Sequence, residues 1–292
     1  MPLLRINATV NGPALHASTR SIRNVLVQAR NGRGVSVIMV HGYKYSPFVT
    51  GRCPHRQIFA AEEWPAALGL AQPDTLSLAF GWHARGGLAV ACAAAYDAAR
   101  DLAEVIAALR KRGPVQVIAH SLGATVALAA LPYLQSGDVG RMVLLSGAAH
   151  IGLARHALAT PAGRSCHLVH VTSHENALFD LVFERLVSGS GAIGRGIAMP
   201  NAHQVQIDCT TTLKCLATLG FPLAPPQRRI CHWSSYTRHG VMAFNGALLT
   251  GQLPLTRLLT ALKDAPPAPS VPCPAREKTH HANKAPTERA TA

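Results

Sequence analysis

The stretch Val115-Gln-Val-Ile-Ala-His-Ser-Leu-Gly-Ala-Thr-Val-Ala-Leu128 decides how the rest of the chain is read. It opens as a short apolar run, reaches a serine at position 121, and continues through Gly123 into an Ala- and Leu-rich helical pattern. A serine on a tight strand-to-helix turn, with small residues two before and two after it, is a nucleophile elbow. The small residues let neighbouring backbones approach, and the hydroxyl projects above the sheet. Here those residues are Ala119 and Gly123, so the pattern is A-x-S-x-G, one methyl group larger at its first position than the glycine form. A serine that merely caps a helix is the plain alternative. The strand before it and the helix after it favour the elbow.

Outward from this turn, short apolar runs alternate with longer helical patterns. The runs Val35–Val40, Thr75–Phe80, Val115–Ala119, Met142–Leu145, Leu168–Thr172 and Val205–Asp208 read as strands, mostly apolar because both faces of a parallel sheet are covered. Leu88–Lys111, Leu122–Leu131 and Asn176–Val187 read as helices, being rich in good helix formers. Leu3–Thr9 resembles an edge strand, and Ile22–Ala29 suits either strand or helix. The pattern implies an α/β fold with a mostly parallel central sheet flanked by helices. The short connection between Leu145 and Leu168 leaves no room for a large cap domain.

Composition narrows the function classes. The 292 residues, 48% hydrophobic, can bury a substantial core, and one α/β domain spanning 1–264 is the simplest division. No run of about 18 apolar residues could cross a bilayer, and Arg5 and Asn7 interrupt the first apolar stretch where a secretory signal would need continuity. A cytoplasmic location, without stable membrane insertion, is the expectation. Seven cysteines, odd in number and widely spaced, predict free thiols, and Cys53-x-His55 and Cys209-x5-Cys215 match no zinc-ligand spacing. The net charge of +14 is strongly basic, yet the longest basic run is Arg110-Lys111-Arg112 and aromatic residues make up only 5%. A base-stacking nucleic-acid surface is not expected on that composition. The excess charge could steer an anionic substrate or headgroup, or have no specific partner.

A second signal strengthens the first. Val35-Ser-Val-Ile-Met-Val-His-Gly-Tyr43 is a strand ending in His41-Gly42. With the elbow, the chain resembles the α/β-hydrolase superfamily over roughly residues 35–249, and in particular a bacterial branch of it. That branch is marked by Trp82-His83-Ala84-Arg85-Gly86 after the fourth strand, the Tyr96-Asp97 pair, and His232-Trp233-Ser234-Ser235-Tyr236. The resemblance implies no particular substrate and no cofactor.

It does imply roles. The loop after the His41-Gly42 strand and the residue after the serine supply the oxyanion N–H groups in this superfamily; these are Tyr43 and Leu122 here. Superfamily order runs nucleophile, acid, histidine. Among histidines past Asp208, His280 and His281 fall in the tail, and His232, next to Trp233, is preferred to His239 as base. His41, His120, His170 and His174 read as structural. The carboxylates after Ser121 and before the tail are Asp138, Glu175, Asp180, Glu184, Asp208 and Asp264. Glu175, three residues past a strand end, is the first choice for the acid, with Asp208 and Asp180 as rivals. Trp82 either covers the core or forms a pocket wall at a strand end.

The expected activity is therefore ester-like hydrolysis of a small acyl substrate through an acyl-enzyme on Ser121, with His232 and Glu175 completing a triad. The roof would come from segments 46–72, 188–202 and 210–231. A hydrolase-fold binding protein without turnover and a basic protein of nucleic-acid or membrane surfaces are the rival classes. Residues 265–292 carry six prolines, scattered charge and no apolar period, the composition of a disordered tail. A chain ending at Asp264 is expected to stay folded and active; loss of the folding transition on truncation would show that the tail contributes to the core.

Overall fold

Alternation of buried side chains between two sheet faces organises the chain. The computed structural model describes residues 3–187 and 189–264. Its strands are β1 Leu4–Asn7, β2 Ala14–Leu15, β3 Ser36–Val40, β4 Leu76–Gly81, β5 Val115–His120, β6 Val139–Leu145, β7 His167–Thr172 and β8 Ala202–Gln206. They form one sheet in the order β2-β1-β4-β3-β5-β6-β7-β8. Every neighbouring pair is parallel except β1 with β2. The helices are α1 Ile22–Ala29, α2 Trp64–Ala67, α3 Leu88–Ala108, α4 Gly123–Ala130, α5 Ile151–Ala159, α6 Pro161–Ser165, α7 Ala177–Leu186, α8 Thr210–Thr218, α9 Ser234–Thr237, α10 Val241–Thr250 and α11 Leu255–Asp264.

The period of two along each strand splits the core. Ile38, Val40, Val117, Leu144 and Leu168 point to one face, where they pack with α3, α4 and α5. Val37, Met39, Ile118, Val143, Val169 and Val205 point to the other, against α8, α10 and α11. All of β3 and β4 is buried, which is why those strands read as mostly apolar runs. Helix α4 is buried on every side, and its sequence is correspondingly apolar all round.

Three expectations change in detail. Leu3–Thr9 does form a strand, but β1 lies inside the sheet because the two-residue β2 pairs along its outer side. Ile22–Ala29 is helical, with Val25, Leu26 and Ala29 on its buried side. The last strand starts at Ala202, not Val205, and includes His203 and Gln204; an edge strand tolerates polar residues that an interior strand would not. Between β6 and β7 lie only the short helices α5 and α6, so no large cap domain interrupts the fold. The six described cysteines are unpaired. No described helix is long and apolar enough to cross a membrane. The tail read from residue 265 onward lies outside the described residues.

Several histidines sit inside this core as neutral groups. Burial lowers His41 to about 4, His55 to about 3 with help from the nearby His16, His41 and Arg5, and His170 to about 4. Unfolded imidazoles take up protons near pH 6.5, whereas these do so only near pH 3–4. Between those limits the unfolded chain binds more protons, so stability is lost as pH falls from about 6.5 toward 4. Urea midpoints should therefore drop between pH 7 and pH 4.5, with at least about 3 kcal/mol lost by pH 4. A midpoint that stays flat over that range would contradict the burial of neutral imidazoles.

Candidate active site

Because β3 to β8 run parallel, the turns that follow them gather at one end of the sheet, and the candidate residues gather with them. Ser121 follows β5 directly and adopts a left-handed conformation, with φ of 53°, uncommon for a residue with a side chain. The turn is held from three sides. The Ser121 N–H donates to Leu145 O at 3.0 Å, and Ser121 O accepts from the N–H groups of Ala124 at 2.9 Å and Ala148 at 2.8 Å. The strain is thus opposed by hydrogen bonds to β6 and to the loop after it.

The glycines at this turn have no room to be anything else. A Cβ at Gly123 would stand 2.6 Å from His41 O and 3.0 Å from Val40 O. One at Gly42 would stand 2.7 Å from Ser121 Cβ and 2.9 Å from His120 O. The end of β3 and the start of α4 therefore touch backbone to backbone. This contact brings the Gly42-Tyr43 turn beside Ser121, and the N–H groups of Tyr43 and Leu122 donate to no acceptor among the described residues. Two free donors beside a serine are what a developing oxyanion requires.

The Gly42-Tyr43 turn is braced by neighbouring side chains. The His41 Nδ1–H donates to Gly42 O at 2.8 Å, and Nε2 accepts from the Trp82 N–H at 3.0 Å. The indole N–H of Trp82 returns a bond to His41 O at 3.0 Å, and the two rings stack at 5.6 Å. Trp82 is fully buried, and its indole is fixed beneath the turn. The ring packs in the core against His41, and Trp82 also borders a cavity shared with Phe48 and His83. The Tyr43 hydroxyl donates to Gly86 O at 2.5 Å, so it points away from an oxyanion role.

His232 arrives from the long loop after α8. Its Nε2 lies 2.8 Å from Ser121 Oγ, and its Nδ1 lies 2.6 Å from Asn176 Oδ1. An amide oxygen only accepts, so Nδ1 carries the proton and Nε2 is free to accept from the serine hydroxyl. The amide orientation is itself fixed, because Asn176 Nδ2 donates to Asp180 Oδ1 at 3.0 Å. Phe179 stacks on the His232 ring at 4.6 Å, and the His120 Nε2–H donates to His232 O at 3.2 Å. Burial lowers the imidazole of His232 to about 4, so it is neutral near pH 7. His239 makes no hydrogen bond to Ser121 among the described residues.

Glu175 stands at the expected place after β7, but its carboxylate makes no hydrogen bond to His232 among the described residues. Its carboxylate accepts from Ser173 Oγ at 3.0 Å and faces the Arg238 guanidinium at 3.6 Å, and both side chains of that ion pair are nearly fully buried. A buried carboxylate must find a compensating charge, and Arg238 holds it on the far side of the turn. What Glu175 gives the site is its backbone: Glu175 O accepts from the Cys231 N–H at 2.9 Å, tethering the loop that carries His232. Asp208, the first rival, accepts from the His174 backbone N–H and ring Nδ1 at 3.0 and 2.9 Å. Asp138 pairs with Arg110 at 2.6 Å. The side chain that holds His232 is Asn176, one residue beyond Glu175. A search confined to carboxylates passes over it. Its one signal is positional: an asparagine just before a helix normally caps it, yet Asn176 makes no capping bond to α7.

The alpha/beta hydrolase family model matches residues 37–289. The lipase BlEst2 of Bacillus licheniformis is 12% identical, with a TM-score of 0.38 over 78% of this chain and 92% of that one. A lipase-esterase related protein of Clostridium acetobutylicum is 9% identical, with a TM-score of 0.33 over 61% and 86%. The metagenomic carboxyl esterase MGS0156 is 13% identical, with a TM-score of 0.31 over 79% and 74%. No curated protein matches the chain. With the family model spanning the strand that precedes the oxyanion turn, the serine turn and the histidine loop, this chain belongs to the alpha/beta hydrolase family.

Proposed function

We propose that the protein is a serine hydrolase that cleaves an ester-like bond of a small acyl substrate through an acyl-enzyme on Ser121. The observation that carries this reading is the unbroken set of hydrogen bonds from Ser121 Oγ to His232 Nε2 and from His232 Nδ1 to Asn176 Oδ1. Ser121 Oγ attacks the carbonyl carbon while its proton passes to Nε2. The tetrahedral oxyanion is met by the N–H groups of Tyr43 and Leu122, and collapse returns the proton from His232 to the leaving alcohol or thiol. Water then repeats the sequence in reverse on the acyl-enzyme, regenerating the serine hydroxyl.

An apolar acyl group suits the surroundings. Phe179 and Trp233 flank the imidazole, with Trp233 half exposed. From there Leu178, Leu181, Val182 and Leu186 form an exposed stripe along α7 at helical spacing. Such contiguous exposed apolar surface beside a nucleophile favours an aliphatic chain over a charged one.

Ser121→Ala is expected to abolish both turnover of an ester panel of graded chain length and labelling by a fluorophosphonate probe, with the folding transition unchanged. His232→Ala should be nearly as damaging, because nucleophile and base act as one unit. Turnover retained by pure Ser121→Ala would refute the assignment, and failure of the wild type to label would favour a non-catalytic binding role. The lowered imidazole predicts that kcat/KM, measured where the protein is still folded, is finally lost only as pH falls through about 4. A complete loss centred near 6.5 would mean that His232 is not the base.

A further inference from the structure

We propose that Asp180 is a positioning residue that acts on His232 through the Asn176 amide, so that the negative charge of the triad stands one hydrogen bond further from the imidazole than in a Ser-His-Asp arrangement. This rests on Ser121 and His232 being the nucleophile and base proposed above.

The geometry is continuous. His232 Nδ1–H donates to Asn176 Oδ1 at 2.6 Å, and Asn176 Nδ2–H donates to Asp180 Oδ1 at 3.0 Å. Asn176 immediately precedes α7 and Asp180 lies four residues on, the spacing that puts two side chains on one helix face. Without an acceptor for Nδ2, the amide could rotate and present its own N–H groups to Nδ1–H, donor against donor. Asp180 forbids that orientation, because a carboxylate can only accept. It also polarises the amide oxygen toward the imidazolium that forms when Ser121 gives up its proton, as hydrogen bonds in series strengthen one another. No proton travels to Asp180; both N–H bonds stay intact while the charge on the imidazole rises and falls.

The surroundings hold Asp180 for this purpose. A Cβ at Gly194 would stand 2.1 Å from Asp180 Oδ2, so the carboxylate packs directly against this glycine. The charged groups facing it are Glu184, also on α7, and Arg195, from the turn after Gly194. Those two are paired with each other at 2.6 Å, which leaves the Asn176 amide as the hydrogen-bond donor to Asp180. Burial is the largest cause raising Asp180 to about 6, with Glu184 acting in the same direction and the Asn176 bond and Arg195 opposing it. The charge is therefore present at pH 7 and lost as pH falls through about 6.

The test uses the full chain and compares wild type, Asp180→Ala, Asp180→Asn and the exchange Asn176→Asp with Asp180→Asn. Asp180→Ala should lower kcat and the rate of fluorophosphonate labelling by about tenfold or more while KM stays within about twofold, since the substrate does not touch this residue. Asp180→Asn keeps an acceptor and should lose less. It should also lack the partial step in kcat near pH 6 that wild type shows when Asp180 takes up its proton. The exchange places a carboxylate directly on Nδ1–H and should recover kcat above Asp180→Ala, with the acid limit of kcat/KM moved upward by about one unit, as an adjacent negative charge raises an imidazole. Wild-type kcat and an unchanged pH profile in both single variants would overturn the proposal. So would an exchange variant no better than Asp180→Ala. Absence of labelling in the wild type would instead overturn the serine-hydrolase reading, and the relay with it.

Discussion

The contact between the end of β3 and the start of α4 is the constraint on which the rest of the site depends. Gly42 and Gly123 allow two backbones to meet where a single methyl group would overlap a carbonyl. That closeness holds Ser121 in its left-handed conformation. It also brings together the two turns that carry the N–H groups of Tyr43 and Leu122, neither of which has an acceptor among the described residues. A one-atom enlargement would force the turn away from the strand, and the donors and the hydroxyl would part company. The bond network beneath, from His41 through Trp82, stiffens the approach from the core side. Precision at the surface is thus inherited from packing below it.

Charge is used sparingly at this end of the sheet. The chain has only 14 carboxylates against 28 basic side chains, and those near the site are mostly committed elsewhere. Glu175 neutralises the buried Arg238, Asp208 holds His174, and Glu184 holds Arg195. The imidazole of His232 consequently meets a neutral amide and aromatic walls. Its burial without an adjacent charge explains why its neutral form persists to about pH 4. A base of that kind stays unprotonated over a broad range. In the proposed reaction the same lack of a neighbouring charge makes the imidazolium harder to stabilise, and the proposed relay therefore turns on the orientation of Asn176.

The loop carrying His232 has no regular structure to direct it, so its position comes from anchors. Glu175 O takes the Cys231 N–H, His120 donates to His232 O, and Phe179 stacks on the ring. These come from two places well separated in the chain: the residue before Ser121, and the segment that runs from the turn after β7 into α7. The histidine is therefore placed by the completed fold, and the aromatic pair of Phe179 and Trp233 is assembled by the same docking.

Local chemistry was legible in the sequence. Apolar runs of the right length gave the strands, and the serine between Ala119 and Gly123 marked the turn. His41-Gly42 marked the end of a strand, and superfamily order pointed to His232. Those features depend on residue type and near neighbours, so they are written along the chain. The partner of His232 is not. Glu175 and Asn176 are consecutive, and which of them faces the imidazole depends on where Arg238, more than 50 residues away, offers a compensating charge. That the Trp82 indole bonds to His41 is likewise decided by the fold. Residue types along the chain set what each group can donate, accept or neutralise. Only the tertiary structure decides which of several capable groups meet, because burial forces every charge and polar atom to be satisfied by whatever the fold brings within reach.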